Sequence, residues 1–141
     1  FPGDRSVDGL VRWQSSSAPA LTILMYGSND ALNHGNSATG TVNVKTFSDV
    51  LGLLIKRRQQ QGAKILVLSP PPIGGPKSEK DIEPYRMAAK KVAGHLHVMF
   101  MDTSILTKQS NNIWLTDKVH LTSAANQFLA HEIAKLIACH E

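Results

Sequence analysis

Three short apolar runs, each closed by residues that stop a strand, alternate along this sequence with longer stretches of helical periodicity. Leu21-Thr22-Ile23-Leu24-Met25-Tyr26 is bounded by Pro19 and Gly27, and Lys64-Ile65-Leu66-Val67-Leu68 ends at Ser69-Pro70-Pro71-Pro72. His97 to Met101 ends at Asp102. Short apolar runs with such flanks read as buried strands, and a proline triplet continues neither a helix nor a central strand. Val44 to Gln61 carries Phe47, Val50, Leu51 and Leu54 at helical spacing, with Gly62 as its stop. Glu79 to Ala93 reads as a second helix with Ile82, Met87, Val92 and Ala93 as core contacts. Leu121 to Ala138 reads as the last helix, with Thr122 or Ser123 as N-cap. Strands that alternate with helices imply right-handed crossovers and a parallel sheet covered on both faces. The expected fold class is therefore α/β, with residues 1–141 as a single domain.

Composition agrees with that class. A chain of 141 residues with 42% hydrophobic and 18% charged residues buries a core without staples. The net charge of +4 comes with one tight basic cluster, Lys56-Arg57-Arg58, late in a predicted helix. Cations there complement a helix C-terminus. Nucleic-acid binding wants a broader basic patch with interleaved aromatics, so no nucleic-acid partner is expected. The one cysteine, Cys139, excludes an intrachain disulfide and a multi-cysteine metal site. No apolar run approaches the length of a membrane span.

In a parallel α/β sheet the reactive loops lie outside the carboxyl ends of the strands. Gly27-Ser28-Asn29-Asp30, Ser69 to Gly75 and Trp114 to His120 all fall there. In Asp117-Lys118-Val119-His120 a carboxylate three residues before an imidazole can hold its Nδ1–H, which leaves Nε2 free to take a proton from a hydroxyl. Asn29 supplies a side-chain amide that can serve a developing oxyanion. Singly, Asp-x-x-His and Asn-Asp are common; their order and placement on one sheet edge give them joint weight.

These residues resemble the SGNH hydrolase superfamily, the GDSL esterases and lipases. Leu24-Met25-Tyr26-Gly27-Ser28-Asn29-Asp30 looks like its third block, Gly-x-Asn-Asp. Trp114-Leu115-Thr116-Asp117-Lys118-Val119-His120-Leu121-Thr122 looks like its fifth, and Pro2-Gly3-Asp4-Arg5-Ser6-Val7-Asp8-Gly9-Leu10 looks like its second. The resemblance implies a flavodoxin-like three-layer α/β/α fold and ester hydrolysis through an acyl-serine. It implies Asp117 as the orienting acid, His120 as the base, and Asn29 with the Gly3 N–H as oxyanion donors. It implies a small-molecule ester substrate, no metal and no organic cofactor. Acetylated sugars, short acyl esters, thioesters and phospholipids all fit it.

The family's first block, a strand followed by Gly-Asp-Ser, carries the nucleophile, and it is not found in these residues. In Gly3-Asp4-Arg5-Ser6 the serine is displaced by one, which makes Ser6 a weaker candidate. The chain is expected to lack the nucleophile strand, its loop and the first helix. Leu21 to Tyr26 would then be an edge strand open to a second polypeptide or a second copy. The alternative is a non-catalytic binding module on the same fold. A nucleotide-binding role has little support, because no Gly-rich phosphate loop is present.

The remaining candidates have plain readings beside the functional ones. His95 and His97 read as half-exposed strand neighbours at i and i+2 rather than metal ligands. His34 reads as a loop histidine that could touch substrate, and His131 and His140 as helix-surface residues. Trp114 reads as either a packing residue or a pocket wall. Ser69 to Gly75 reads as either a rigid crossover turn or a pocket edge.

Overall fold

The computed structural model describes residues 3–13, 19–32, 40–109 and 112–140. Its elements are α1 (Ser6–Arg12), β1 (Leu21–Met25), α2 (Ser28–Leu32), α3 (Val44–Gln60), β2 (Lys64–Leu68), α4 (Pro76–His95), β3 (Met99–Met101), a 3-10 turn over Thr103–Lys108, and α5 (Ser123–Ala138). The three strands form one parallel sheet in the order β1-β2-β3. Leu21 pairs with Lys64 and Met25 with Leu68 on one side of β2; Leu66 pairs with Met99 and Leu68 with Met101 on the other. This is the α/β architecture that the alternating pattern predicts.

The central strand explains itself. Ile65, Leu66, Val67 and Leu68 are all buried, so both faces of β2 are covered. On one face Leu24, Ile65 and Val67 pack with Phe47, Leu51, Leu54 and Ile55 of α3 and Tyr85, Ala89 and Ala93 of α4. Phe47 and Tyr85 meet edge to face, 5.3 Å between ring centroids. On the opposite face Met101 packs with Leu106, Ile113, Ala125 and Leu129, under α5. That second cover does not reach β1. Ile23 and Met25, which alternate with buried Thr22 and Leu24, stand 44% and 46% exposed. β1 is the edge of the described sheet, and its α5-side face is open.

Helix ends follow local chemistry. Asn43 caps α3 by accepting from Thr46 N at 2.8 Å, and Thr122 caps α5 by accepting from Ala125 N. The last helix therefore starts at Ser123, two residues later than Leu121. The second long helix is longer than Glu79 to Ala93 because Pro76, pre-set in φ, opens it. Met87 is a correction: it is 65% exposed, off the buried stripe of Ile82, Tyr85, Ala88, Ala89 and Ala93. His97 is another. Its φ of +53 places it in the turn that leaves α4, so β3 begins at Met99 and His95 and His97 are not strand neighbours. Gly35 to Gly40, whose Gly-Asn-Ser-Ala-Thr-Gly composition is that of a loop, and Ser110-Asn111-Asn112, which reads as a turn, lie mostly outside the described residues.

Candidate active site

The loops that follow β1 and β2 are packed against each other at the carboxyl edge of the sheet. Gly27 has φ +125, and a Cβ there would sit 2.8 Å from Pro70 Cγ. Only glycine allows both this backbone and this approach. Ser69, fully buried, accepts from Thr103 N at 2.9 Å, and its hydroxyl also meets Asp102 and Thr103 Oγ1. That network ties the ends of β2 and β3 together.

Asp117 and His120 stand on a turn between Trp114 and Leu121, which form an antiparallel bridge. Asp117 Oδ2 lies 2.6 Å from His120 Nδ1. Its Oδ1 accepts from the backbone N–H groups of Val119 and His120, each at 2.9 Å. The imidazole hydrogen bond, helped by the two amides, holds the Asp117 carboxyl down to about 2. An ionised carboxylate can only accept, so Nδ1 is the donor and Nε2 of the neutral ring carries the lone pair. The ring is 75% exposed and the carboxylate 46%. No serine hydroxyl among the described residues bonds to this imidazole.

Asn29 lies in the first turn after β1, within α2 rather than in an irregular loop. Its Nδ2 donates to Asp4 O at 2.9 Å, which brings the side-chain amide beside the Gly3-Asp4 segment. Gly3 has φ +80. Two of the residues singled out in sequence, Asn29 and Gly3, are thus neighbours through Asp4. Arg12 pairs with the Asp4 carboxylate. Asp4, Arg12, Trp13, Met25, Tyr26 and Asn29 line a cleft of about 380 Å³ along the outer side of β1.

Ser6 is placed otherwise than a nucleophile would be. It is fully buried, and its Oγ donates to Asp30 Oδ1 at 2.5 Å. Its N–H lies 3.1 Å from both oxygens of the same carboxylate. Asp30 therefore caps α1 from a distant part of the chain, and the serine is consumed by the cap. Burial raises the Asp30 carboxyl above its ordinary range, against the pull of the Ser6 donors. The structural importance of Asp30 is not evident from sequence, where it reads as the end of a turn.

The Pro70–Gly75 loop is the other part that sequence leaves undecided. Trp114 Nε1 donates to Pro72 O at 2.8 Å, and Gly74 N donates to Lys118 O at 2.7 Å. Arg86, buried in α4, donates from Nε to Pro70 O at 3.0 Å and from Nη2 to Pro71 O at 3.3 Å. Trp114 is half-buried against the second core cluster. The other histidines stand apart: His131 and His140 are exposed on and after α5, and His34 lies outside the described residues. Among the described residues, no three His, Cys, Asp or Glu side chains form a cluster that could hold a metal ion.

Solved structures share this fold. A lipase/acylhydrolase from Enterococcus faecalis matches with a TM-score of 0.81 at 20% identity, over 96% of this chain and 71% of that one. An acetyl xylan esterase, AlAXEase, matches with 0.81 at 22% identity, over 96% and 77%. Axe2, an acetylxylan esterase from Geobacillus stearothermophilus, matches with 0.79 at 19% identity, over 96% and 68%. Two further Axe2 structures are catalytic mutants, one replacing a serine and one a histidine. A comparison with curated proteins finds no match. The model of the GDSL-like Lipase/Acylhydrolase family matches residues 1–128, so the chain belongs to that family.

Proposed function

We propose that this chain carries the acid–base pair and the oxyanion donors of a carboxylic ester hydrolase that works through an acyl-serine. The observation that carries the reading is the Asp117–His120 pair, 2.6 Å apart with the second carboxylate oxygen held by two amides. In this reading the serine comes from a Gly-Asp-Ser block on a strand laid parallel to the open edge of β1. Nε2 of His120 takes the serine proton as Oγ attacks the ester carbonyl carbon. Asn29 Nδ2 and the Gly3 N–H meet the oxyanion. Collapse expels the alcohol, which receives the proton from His120. Water then repeats the sequence on the acyl-serine and releases the acid. Asp117 keeps the tautomer right and stabilises the imidazolium.

The open edge supports this arrangement. Ile23 and Met25 are half exposed on β1, and the imidazole has no hydroxyl partner among the described residues. A strand and helix seated there would cover the apolar pair. The named structural neighbours include acetyl xylan esterases, which makes acetylated sugars the first substrates to test. The test uses a form that carries the nucleophile block. Asp117→Asn and His120→Ala should each lower turnover of an acetyl ester by roughly 10³–10⁶-fold, as loss of triad members does elsewhere. Turnover near that of the unsubstituted form would remove His120 from the role of base.

A further inference from the structure

The turn that bears Asp117 and His120 is held from within by the Asp117 carboxylate, which meets Val119 N, His120 N and the His120 ring, and by two backbone pairs. Lys118 N donates to Leu115 O at 3.0 Å and Leu115 N to His120 O at 2.8 Å. Lys118 itself sits at φ +60, a costly conformation for a residue with a Cβ. The turn's outside support comes from the Pro70–Gly75 loop at two points: the Gly74 N–H on Lys118 O, and Pro72 O on the Trp114 indole.

That loop is unusually well fixed for an irregular segment. Its three prolines offer carbonyls but no N–H groups. Pro70 O and Pro71 O are taken by the buried guanidinium of Arg86, and Thr103 Oγ1 also donates to Pro70 O at 3.2 Å. Ile73 N donates to Glu79 Oε2 at 2.9 Å, and Glu79 in turn pairs with Arg86, Oε2 to Nη2 at 3.0 Å. The next amide of the stretch, at Gly74, points at the Asp117–His120 turn. The approach is close: a Cβ on Gly74 would fall 2.7 Å from Lys118 Cβ, 3.1 Å from its Cδ and 3.2 Å from its carbonyl oxygen.

We propose that Gly74 and Trp114 are positioning residues for the Asp117–His120 pair, with Arg86 fixing the proline loop against which the turn is set. This rests on the reading of that pair as the acid–base machinery, but its test does not. The readout is the tautomer of the neutral His120 ring, taken from its ring nitrogen shifts in two-bond ¹H–¹⁵N spectra of the chain itself. Held by Asp117, the ring should be mainly in the Nδ1–H form. Gly74→Ala should lower the ratio of the Nδ1–H to the Nε2–H form by about threefold or more, as an exposed charge-assisted hydrogen bond weakens. Trp114→Phe should act in the same direction.

Adding Lys118→Gly to Gly74→Ala removes the contacts with Lys118 Cβ and Cδ and suits φ +60, leaving the 3.2 Å approach to the carbonyl oxygen, so the double variant should regain part of the original ratio. Gly94→Ala, whose new methyl meets nothing within 4 Å, is the control for an added alanine. An unchanged ratio in Gly74→Ala would overturn the proposal. So would a drop that Lys118→Gly does not relieve at all, since the two closest contacts, with Lys118 Cβ and Cδ, are then gone. If the ratio responds as stated while His120→Ala spares turnover of the serine-bearing form, the positioning stands and the ester-hydrolase reading falls.

Discussion

Ser6 Oγ donates to Asp30 Oδ1 across 2.5 Å in the interior, and the Ser6 N–H lies 3.1 Å from both oxygens of that carboxylate. One buried anion therefore holds the start of α1 and, with it, the Gly3-Asp4 segment that Asn29 touches.

From that relationship Ser6→Ala should cost about 1.5–3 kcal/mol of folding stability, the worth of one buried hydrogen bond to a charged acceptor. Asp30→Ala leaves two buried donors without a partner and should cost about 2–4 kcal/mol. Urea unfolding followed by circular dichroism measures both. In a serine-bearing form Ser6→Ala should keep ester turnover within about threefold, because a capped hydroxyl takes no part in the chemistry. Abolished turnover with intact folding would make Ser6 the nucleophile after all.

The raised Asp30 carboxyl also predicts a pH dependence. A carboxyl whose folded pKa exceeds its unfolded value takes up a proton on folding. Its contribution to stability is full below the unfolded carboxyl value, 3.8, and is lost as pH rises through the folded value. Measured against Asp30→Asn, which does not titrate, the native chain should lose relative stability as pH climbs from about 4, with a limiting slope of about 1.4 kcal/mol per pH unit. A difference that grows in favour of the native chain with rising pH would contradict burial as the dominant influence.

Asn29→Ala separates the oxyanion role from a merely structural turn. In a serine-bearing form it should lower kcat by about 100-fold with little change in KM, the loss expected for one oxyanion donor. The missing bond to Asp4 O should cost only about 1 kcal/mol of stability. Severe destabilisation with kcat preserved would assign Asn29 to the fold alone.

The open face of β1 predicts association. Ile23 and Met25 lie on an edge strand with no cover from α5, and such an edge recruits other chains. Sedimentation velocity at rising concentration should show the 141-residue chain associating, and Ile23→Lys with Met25→Lys should return it to a monomer. A native chain that stays monomeric throughout would show that the edge is already protected.

What could be read from the sequence depended on how local each cause was. β2 was legible to the residue because four consecutive side chains are buried and the proline triplet cuts the strand off. α3 was nearly so, since its stripe and its stop lie within one stretch. α1 and α2 were not, because seven and five residues carry too little periodicity. The amide at the start of α1 is capped by Asp30, 24 residues away. The spacing of Asp117 and His120 predicted their hydrogen bond, because three residues of a turn determine it. The role of Gly74 was hidden, since its partner Lys118 is distant in sequence and Gly-Gly after prolines reads as any crossover turn.

The central claim is that these residues prepare a site around a serine they do not themselves provide. Intact-mass analysis after treatment with a fluorophosphonate tests it most directly, on the 141-residue chain with and without a segment bearing the strand and Gly-Asp-Ser block. The account predicts no adduct on the chain alone and one adduct per complex, on the added serine, lost when His120 is replaced by alanine. Stoichiometric labelling of the chain alone would contradict it.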